Sequence, residues 1–223
     1  MTHAIIYKEW LKTRLTFLIC LAGALAMTIY AILAMKRTAT LEGVDQLWLL
    51  MLLKGETFLS SLTYVPLICG TAIGIAQMIP ETSSKRLKLT LHLPCGHTRM
   101  LITMLATGLA ETLAICLVII TGIAIYDYSV MAPELAGHAL LTALPWLMAG
   151  VAAYLMTSAI CLESSWIQRM VLALAGAGII AVFYMGDSPE SHNSIIAAAV
   201  LLIALLSLLT IRSAIRFKEG RND

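Results

Sequence analysis

The sequence predicts an all-α, polytopic membrane protein: six transmembrane helices with an N-terminal interfacial helix. Three observations carry that expectation. The chain of 223 residues is 60% hydrophobic and only 13% charged, whereas soluble domains carry about a quarter charged residues. Apolar runs recur along it at the length, about 20 residues, that a helix needs to cross the hydrocarbon layer. Those runs do not alternate in polarity, as the strands of a membrane barrel would. The net charge of +2 is too small to point to a nucleic-acid partner. With no internal repeat or water-soluble stretch of domain size, residues 1–223 read as a single transmembrane domain.

Residues 4–14 read as a helix lying in the membrane surface. Ile6, Tyr7, Trp10 and Leu11 share one face, with Lys8, Glu9 and Lys12 on the other. Aromatics opposite lysines suit the headgroup layer, so membrane lipid is the partner of this segment. Span 1 is Leu15–Met35, too long for the apolar core of a signal peptide and therefore read as retained. After a polar loop over Lys36–Gln46, the apolar stretch from Leu47 to Ile79 is too long for one crossing. Lys54 and Glu56 divide it into a re-entrant or interfacial piece over 47–53 and span 2 over 57–79. Gly70 and Gly74 form a GxxxG in span 2, a spacing that lets two helices approach closely and a candidate contact between subunits.

The remaining spans are 100–126, 138–162, 170–186 and 194–211. Pro145 predicts a kink early in span 4, and short turns fill 127–137, 163–169 and 187–193. Six crossings put both termini on one side. Twelve of the fifteen lysines and arginines fall on that side: in the N-terminal segment, in the 80–99 loop, at Arg169 and in the tail. The 127–137 and 187–193 loops have none. The excess of basic residues in cytoplasmic loops makes that side cytoplasmic.

The loop over 80–99, PETSSKRLKLTLHLPCGHTR, is the longest polar stretch between apolar runs. Ser83 or Ser84 can cap a short helix with Lys85–Leu93 as its body and Pro94-Cys95-Gly96 as its stop. The alternation of Leu87, Leu89, Leu91 and Leu93 with polar residues has the period of a strand. A lone strand here has nothing to pair with, so a helix is the expectation. Five cysteines, Cys20, Cys69, Cys95, Cys116 and Cys161, show neither CxxC nor Cys/His ligand spacing, and four of them read as small apolar core residues.

The segment YKEWLKTR before span 1 and the run RLKLTLHLPCGHTRML after span 2 resemble the permease subunits of type-2 ATP-binding-cassette exporters. These include the small six-span permeases of bacitracin and lantibiotic self-protection systems. Leu87, Leu91, Leu93 and Pro94 match that family's G-T-L-x-x-L-L-x-L-P-V-S-R pattern, and His97 falls where the family often has arginine, with Arg99 close behind. Ser83-Ser84-Lys85 stands in place of the usual glycine, and Cys95-Gly96 in place of Val-Ser. The resemblance implies an inner-membrane permease that pairs with a second copy of itself. It also implies a separate cytoplasmic ATPase that binds ATP and Mg, so this chain holds no cofactor. The loop would dock into that ATPase, burying its leucines, while Lys85, Arg86, Lys88 and Arg99 steer the encounter. The chain has no GxxxxGK[ST] phosphate loop.

Glu111 lies roughly 16 Å into span 3 at 1.5 Å per residue. An ionised carboxylate at that depth costs at least about 2.5–3.5 kcal/mol. It is therefore protonated, paired, or facing water, either as a cavity-lining group in the transport path or at the dimer interface, or as a protonated carboxyl bonded to a neighbouring helix. Gln77 and Glu56 raise the same question nearer to span ends. Two other functions fit the composition: a membrane-embedded enzyme acting on lipid-linked substrates, and a non-transporting anchor or sensor. An enzyme would need several polar residues converging at one depth.

Overall fold

Hydropathy places six apolar runs on the chain, and the structure, a computed structural model, has six α-helices among the residues it describes: 2–42, 59–83, 97–130, 133–163, 165–185 and 196–219. They are α1 (Thr2–Glu42), α2 (Val65–Ser83), α3 (His97–Val130), α4 (Pro133–Leu162), α5 (Trp166–Val182) and α6 (Ile196–Glu219), with a 3-10 turn over Ser60–Leu62 ahead of α2. Four stretches, His3–Thr38, Ser60–Thr82, Arg99–Val130 and Ala136–Leu162, are long and apolar enough to cross a membrane. The apolar parts of the last two helices, Trp166–Val182 and Ala198–Leu208, are shorter. The protein is thus an all-α membrane protein. The 47–53 segment, Lys54, Glu56, the loop core over 84–96 and the 187–193 turn lie outside the described residues.

The helices run past the apolar stretches that announce them. α1 continues without a break through Arg14, where the sequence places the corner between a surface helix and span 1, and ends only at Glu42. At 1.5 Å per residue its 41 residues measure about 61 Å, twice the hydrocarbon thickness. α3 extends to Val130, so Asp127 is helical rather than in a loop. α4 starts at Pro133 and runs on through Pro145, and α2 runs through Pro80 to Ser83. The reason is general. Hydropathy marks where a chain enters lipid, whereas a helix ends only where its backbone finds a better partner than the next turn.

α4 is the central helix. It packs on α2, α3, α5 and α6, while α1 lies against α2 and α3. Its sequence explains the position: Ala149, Gly150, Ala152, Ala153, Ser158 and Ala159 are buried small residues, between which neighbouring backbones come close. The closest approach is at Gly70 of α2, where an added Cβ would overlap the carbonyl of Gly150. Gly74 faces Thr157 and the backbone of Tyr154 on the same helix. The GxxxG of α2 therefore makes an intramolecular contact, and its face is covered by α4 rather than open to another subunit. At the far end of the bundle, Tyr184 stacks on Tyr64 at 5.3 Å and its hydroxyl donates to the Thr63 carbonyl.

Apolar side chains cover the outside. Leu15, Ile19 and Leu33 on α1, Ile167 and Leu174 on α5, and Leu201 and Leu208 on α6 are all exposed, as lipid contact requires. Threonines within the apolar helices satisfy their own hydroxyls. Thr28 donates to the Ala24 carbonyl at 2.8 Å and Thr112 to that of Gly108 at 2.9 Å, each one turn back.

Gly70→Val is expected to lower the melting temperature of the detergent-purified protein sharply. Its cost should exceed the about 1–3 kcal/mol usual for overpacking, because backbone and not a flexible side chain stands in the way. Gly23→Val is the control: nothing lies within 4 Å of a Cβ there, and the change should fall within about 0.5 kcal/mol.

Candidate functional site: a buried polar seam joining four helices

Where α1 and α3 begin and α2 and α4 end, each helix contributes polar residues one turn apart. They are Glu9 and Thr13 on α1, Gln77 and Glu81 on α2, Thr107 and Glu111 on α3, and Tyr154 and Ser158 on α4. Helical periodicity puts the members of each pair on one face. The four faces meet.

Gln77 is the hub. Its amide nitrogen donates to the Met104 carbonyl of α3 at 2.6 Å and to Glu9 Oε2 of α1 at 3.2 Å, with Thr107 Oγ1 at 3.4 Å. Its Oε1 accepts from the Tyr154 hydroxyl at 2.8 Å. That hydroxyl has one proton and a second acceptor, the Leu105 carbonyl, at 3.0 Å. One glutamine side chain thus touches three other helices, and it is fully buried. Gly108 makes room for this: an added Cβ would overlap both Gln77 Oε1 and the Tyr154 hydroxyl, and would lie 2.7 Å from the tyrosine ring.

An ion cluster caps the hub. Glu81 Oε1 lies 2.8 Å from both Lys8 Nζ and Lys12 Nζ, and Lys12 Nζ is also 2.8 Å from Glu9 Oε2. Glu9 and Glu81 are each 1% exposed, whereas Lys8 is 38% exposed and Lys12 15%. The carboxylates are therefore inside and the lysines reach in from the rim. The polar face of the N-terminal segment, expected in the headgroup layer, thus meets protein instead. Tyr7, Trp10 and Leu11 point outward, and the face with Lys8, Glu9 and Lys12 packs inward against α2. At the level of lipid an apolar face already has its solvent, and the polar face needs partners.

Glu111 is 8% exposed, and its Oε1 accepts from Thr13 Oγ1 of α1 at 2.5 Å. Of the two expectations for it, a carboxyl bonded to a neighbouring helix is the one observed. Beyond the hub, Met78, Met100, Met104 and Leu105 close a small apolar cluster with Leu162. The polar seam lies between that cluster and the main core.

The expected coupling residues Lys85, Arg86, Leu87, Lys88, Leu91, Leu93 and Pro94 lie outside the described residues. His97 opens α3, and Arg99 is exposed in its first turn. Glu9, on the polar face of the N-terminal segment, and Glu81, expected in the 80–99 loop, are both buried in helices, and Thr13 and Tyr154 join them with no hydropathy signal of their own. Asp127, expected between spans 3 and 4, is fully buried, and among the described residues neither of its carboxylate oxygens has a hydrogen-bond partner. Among the described residues no group of three His, Cys, Asp or Glu side chains is arranged to hold a metal. Four cysteines are free thiols; Cys69 Sγ donates to the Cys20 carbonyl and Cys116 Sγ to that of Leu147, both at 3.8 Å. No protein-family model matches the chain, and no curated protein or solved structure matches it.

Glu81→Ala is expected to destabilise the protein by about 1–3 kcal/mol. That is less than the 3–5 kcal/mol of breaking a fully buried pair, because both lysines can snorkel toward water. Lys8→Ala alone should cost under about 1 kcal/mol, since Lys12 keeps Glu81 paired. Thermal unfolding in detergent reads both, and a larger loss for Lys8→Ala than for Glu81→Ala would contradict the arrangement.

Proposed function

We propose that this chain is the membrane-spanning permease subunit of an ATP-driven exporter. A separate cytoplasmic ATPase would bind ATP and Mg, and a second copy of this chain would complete the pathway. The reading places six crossings in the bacterial inner membrane with both termini cytoplasmic. The observation that carries it is the basic, leucine-rich stretch from Lys85 to Arg99, set between two helices long and apolar enough to span. The chain has no phosphate loop of its own, so energy has to arrive through contact.

The seam supports this reading because of where it lies. The stretch leaves α2 just after Glu81 and enters α3 at His97. Gln77 and Glu81 tie α2 to α1 and α4, Met104 and Thr107 tie α3 to Gln77, and Glu111 and the Leu105 carbonyl tie α3 to α1 and α4. A force on the loop therefore acts on a hydrogen-bonded joint rather than on two independent helix ends.

One observation favours a second reading, a membrane-embedded enzyme: Glu9, Gln77, Glu81, Glu111 and Tyr154 do converge at one level. They are, however, buried and bonded mainly to one another, which suits a joint better than a site open to a lipid-linked substrate.

Leu91→Arg and Pro94→Arg are expected to abolish co-purification with the ATPase while leaving membrane insertion intact; unchanged complex formation would count against docking through this loop. Cys95 should react with a membrane-impermeant maleimide in inside-out vesicles and not in right-side-out ones. Stimulation of ATP hydrolysis by substrate, dependent on the permease, separates an exporter from an anchor or an enzyme.

A further inference from the structure

The seam does not balance its charge. Among the described residues it holds three carboxyl groups, Glu9, Glu81 and Glu111, and two ammonium groups, Lys8 and Lys12. Both ammonium groups are committed: each lies 2.8 Å from Glu81, and Lys12 is equally close to Glu9. Glu111 is left over. Its one hydrogen-bond partner is the neutral Thr13 hydroxyl, and its Oε2 is buried with none. Among the described residues, the other groups around it add no positive charge. α1 presents Glu9 and Thr13, α2 presents Gln77, and α4 presents Tyr154. Of the described polar groups of α6, Thr210 and Ser213 are turned to α4, where they meet the Leu155 carbonyl and Glu163, Ser207 donates to the Ala204 carbonyl of its own helix, and Arg212 is exposed. An additional anion in such surroundings is far more costly than a neutral acid.

We infer that the seam binds one proton, carried by Glu111, and that this proton acts as the latch between α1 and α3. Thr13 covers the carboxyl from α1: its Oγ1 lies 2.5 Å from Oε1 and 3.1 Å from the Glu9 carbonyl, so its one proton has two acceptors and the carboxyl hydrogen can sit on either oxygen of Glu111. Drawing α1 away exposes the carboxyl to water, where it ionises and gives the proton to solvent; closing the helices takes one proton back. The inference does not depend on the exporter reading, since the site lies wholly within one chain.

Infrared spectroscopy of the full chain in detergent tests it, in H2O and D2O at neutral pH. The expected result is a protonated-carboxyl carbonyl band above the amide region that shifts in D2O and is missing from Glu111→Gln. The glutamine keeps an oxygen for Thr13, so this variant should melt close to wild type. Thr13→Val should move the band to higher frequency by removing the carboxyl's hydrogen-bond partner. As pH rises, the band and the near-ultraviolet circular dichroism of packed aromatics should vanish together in wild type, while Glu111→Gln keeps its packing over that range. The inference is overturned if wild type has no such band, or if Glu111→Gln retains it. It is equally overturned if Thr13→Val leaves the band in place, or if the band titrates away with packing unchanged. Stabilisation of wild type by Na+ or K+ without a carboxyl band would assign the balancing charge to a metal ion and also defeat it.

Discussion

The hydrogen bonds of Gln77 are the constraint on which the rest of this bundle depends. In water a glutamine has endless alternative partners and contributes little by choosing any one. Among apolar helices the alternatives vanish, and a buried amide without partners costs several kcal/mol. Gln77 meets that demand by drawing on three other helices at once: a carboxylate from α1, a backbone carbonyl from α3 and a phenol from α4. Those partners have demands of their own, and the answers spread outward. Glu9 needs Lys12, Lys12 and Lys8 share Glu81, and Tyr154 needs a gap that only a glycine at position 108 leaves. Apolar packing within lipid is permissive about how helices rotate, because lipid tails are as apolar as leucine. The seam removes that freedom for α1 through α4 at one end.

The small residues of α4 do the complementary work. Gly150 and its alanine neighbours bring α2 to within backbone contact, which fixes how far Gln77 stands from Tyr154. Packing sets the distance and the polar seam sets the rotation. Among the described residues, α5 and α6 contribute nothing to the seam. α5 packs on α4, while α6 lies on α4 and the edge of α3, with Thr210 and Ser213 making its polar contacts to α4.

Much of this was legible in the sequence, for reasons that differ by element. The all-α class followed from the length of the apolar runs, because in lipid only a helix satisfies its own backbone. The ends did not follow, since Arg14, Lys36 and Asp127 are polar residues that a helix carries without ending. Glu111 was legible as a residue in need of a partner, and the partner was not, because Thr13 is separated from it by two spans. The N-terminal segment differs on one face only. Its apolar face is exposed, as lipid contact requires, while its polar face meets α2 and not the headgroup layer, because this helix continues straight into span 1. One signal in the sequence did point to the seam. Glu9 and Thr13, Gln77 and Glu81, Thr107 and Glu111, and Tyr154 and Ser158 each form a polar pair one helical turn apart. Four such pairs at matching ends of consecutive antiparallel helices are what a polar layer requires.

The account's central claim is that Gln77 and Tyr154 act as one unit, and a double-mutant cycle tests it most directly. Unfolding free energies would be measured for wild type, Gln77→Leu, Tyr154→Phe and the double variant in one detergent. Residues joined in a buried network couple by about 0.5–3 kcal/mol. The account predicts that the double variant loses less than the sum of the two single losses by an amount in that range. Losses that simply add would mean the two side chains are independent and the seam does not set the arrangement of the helices.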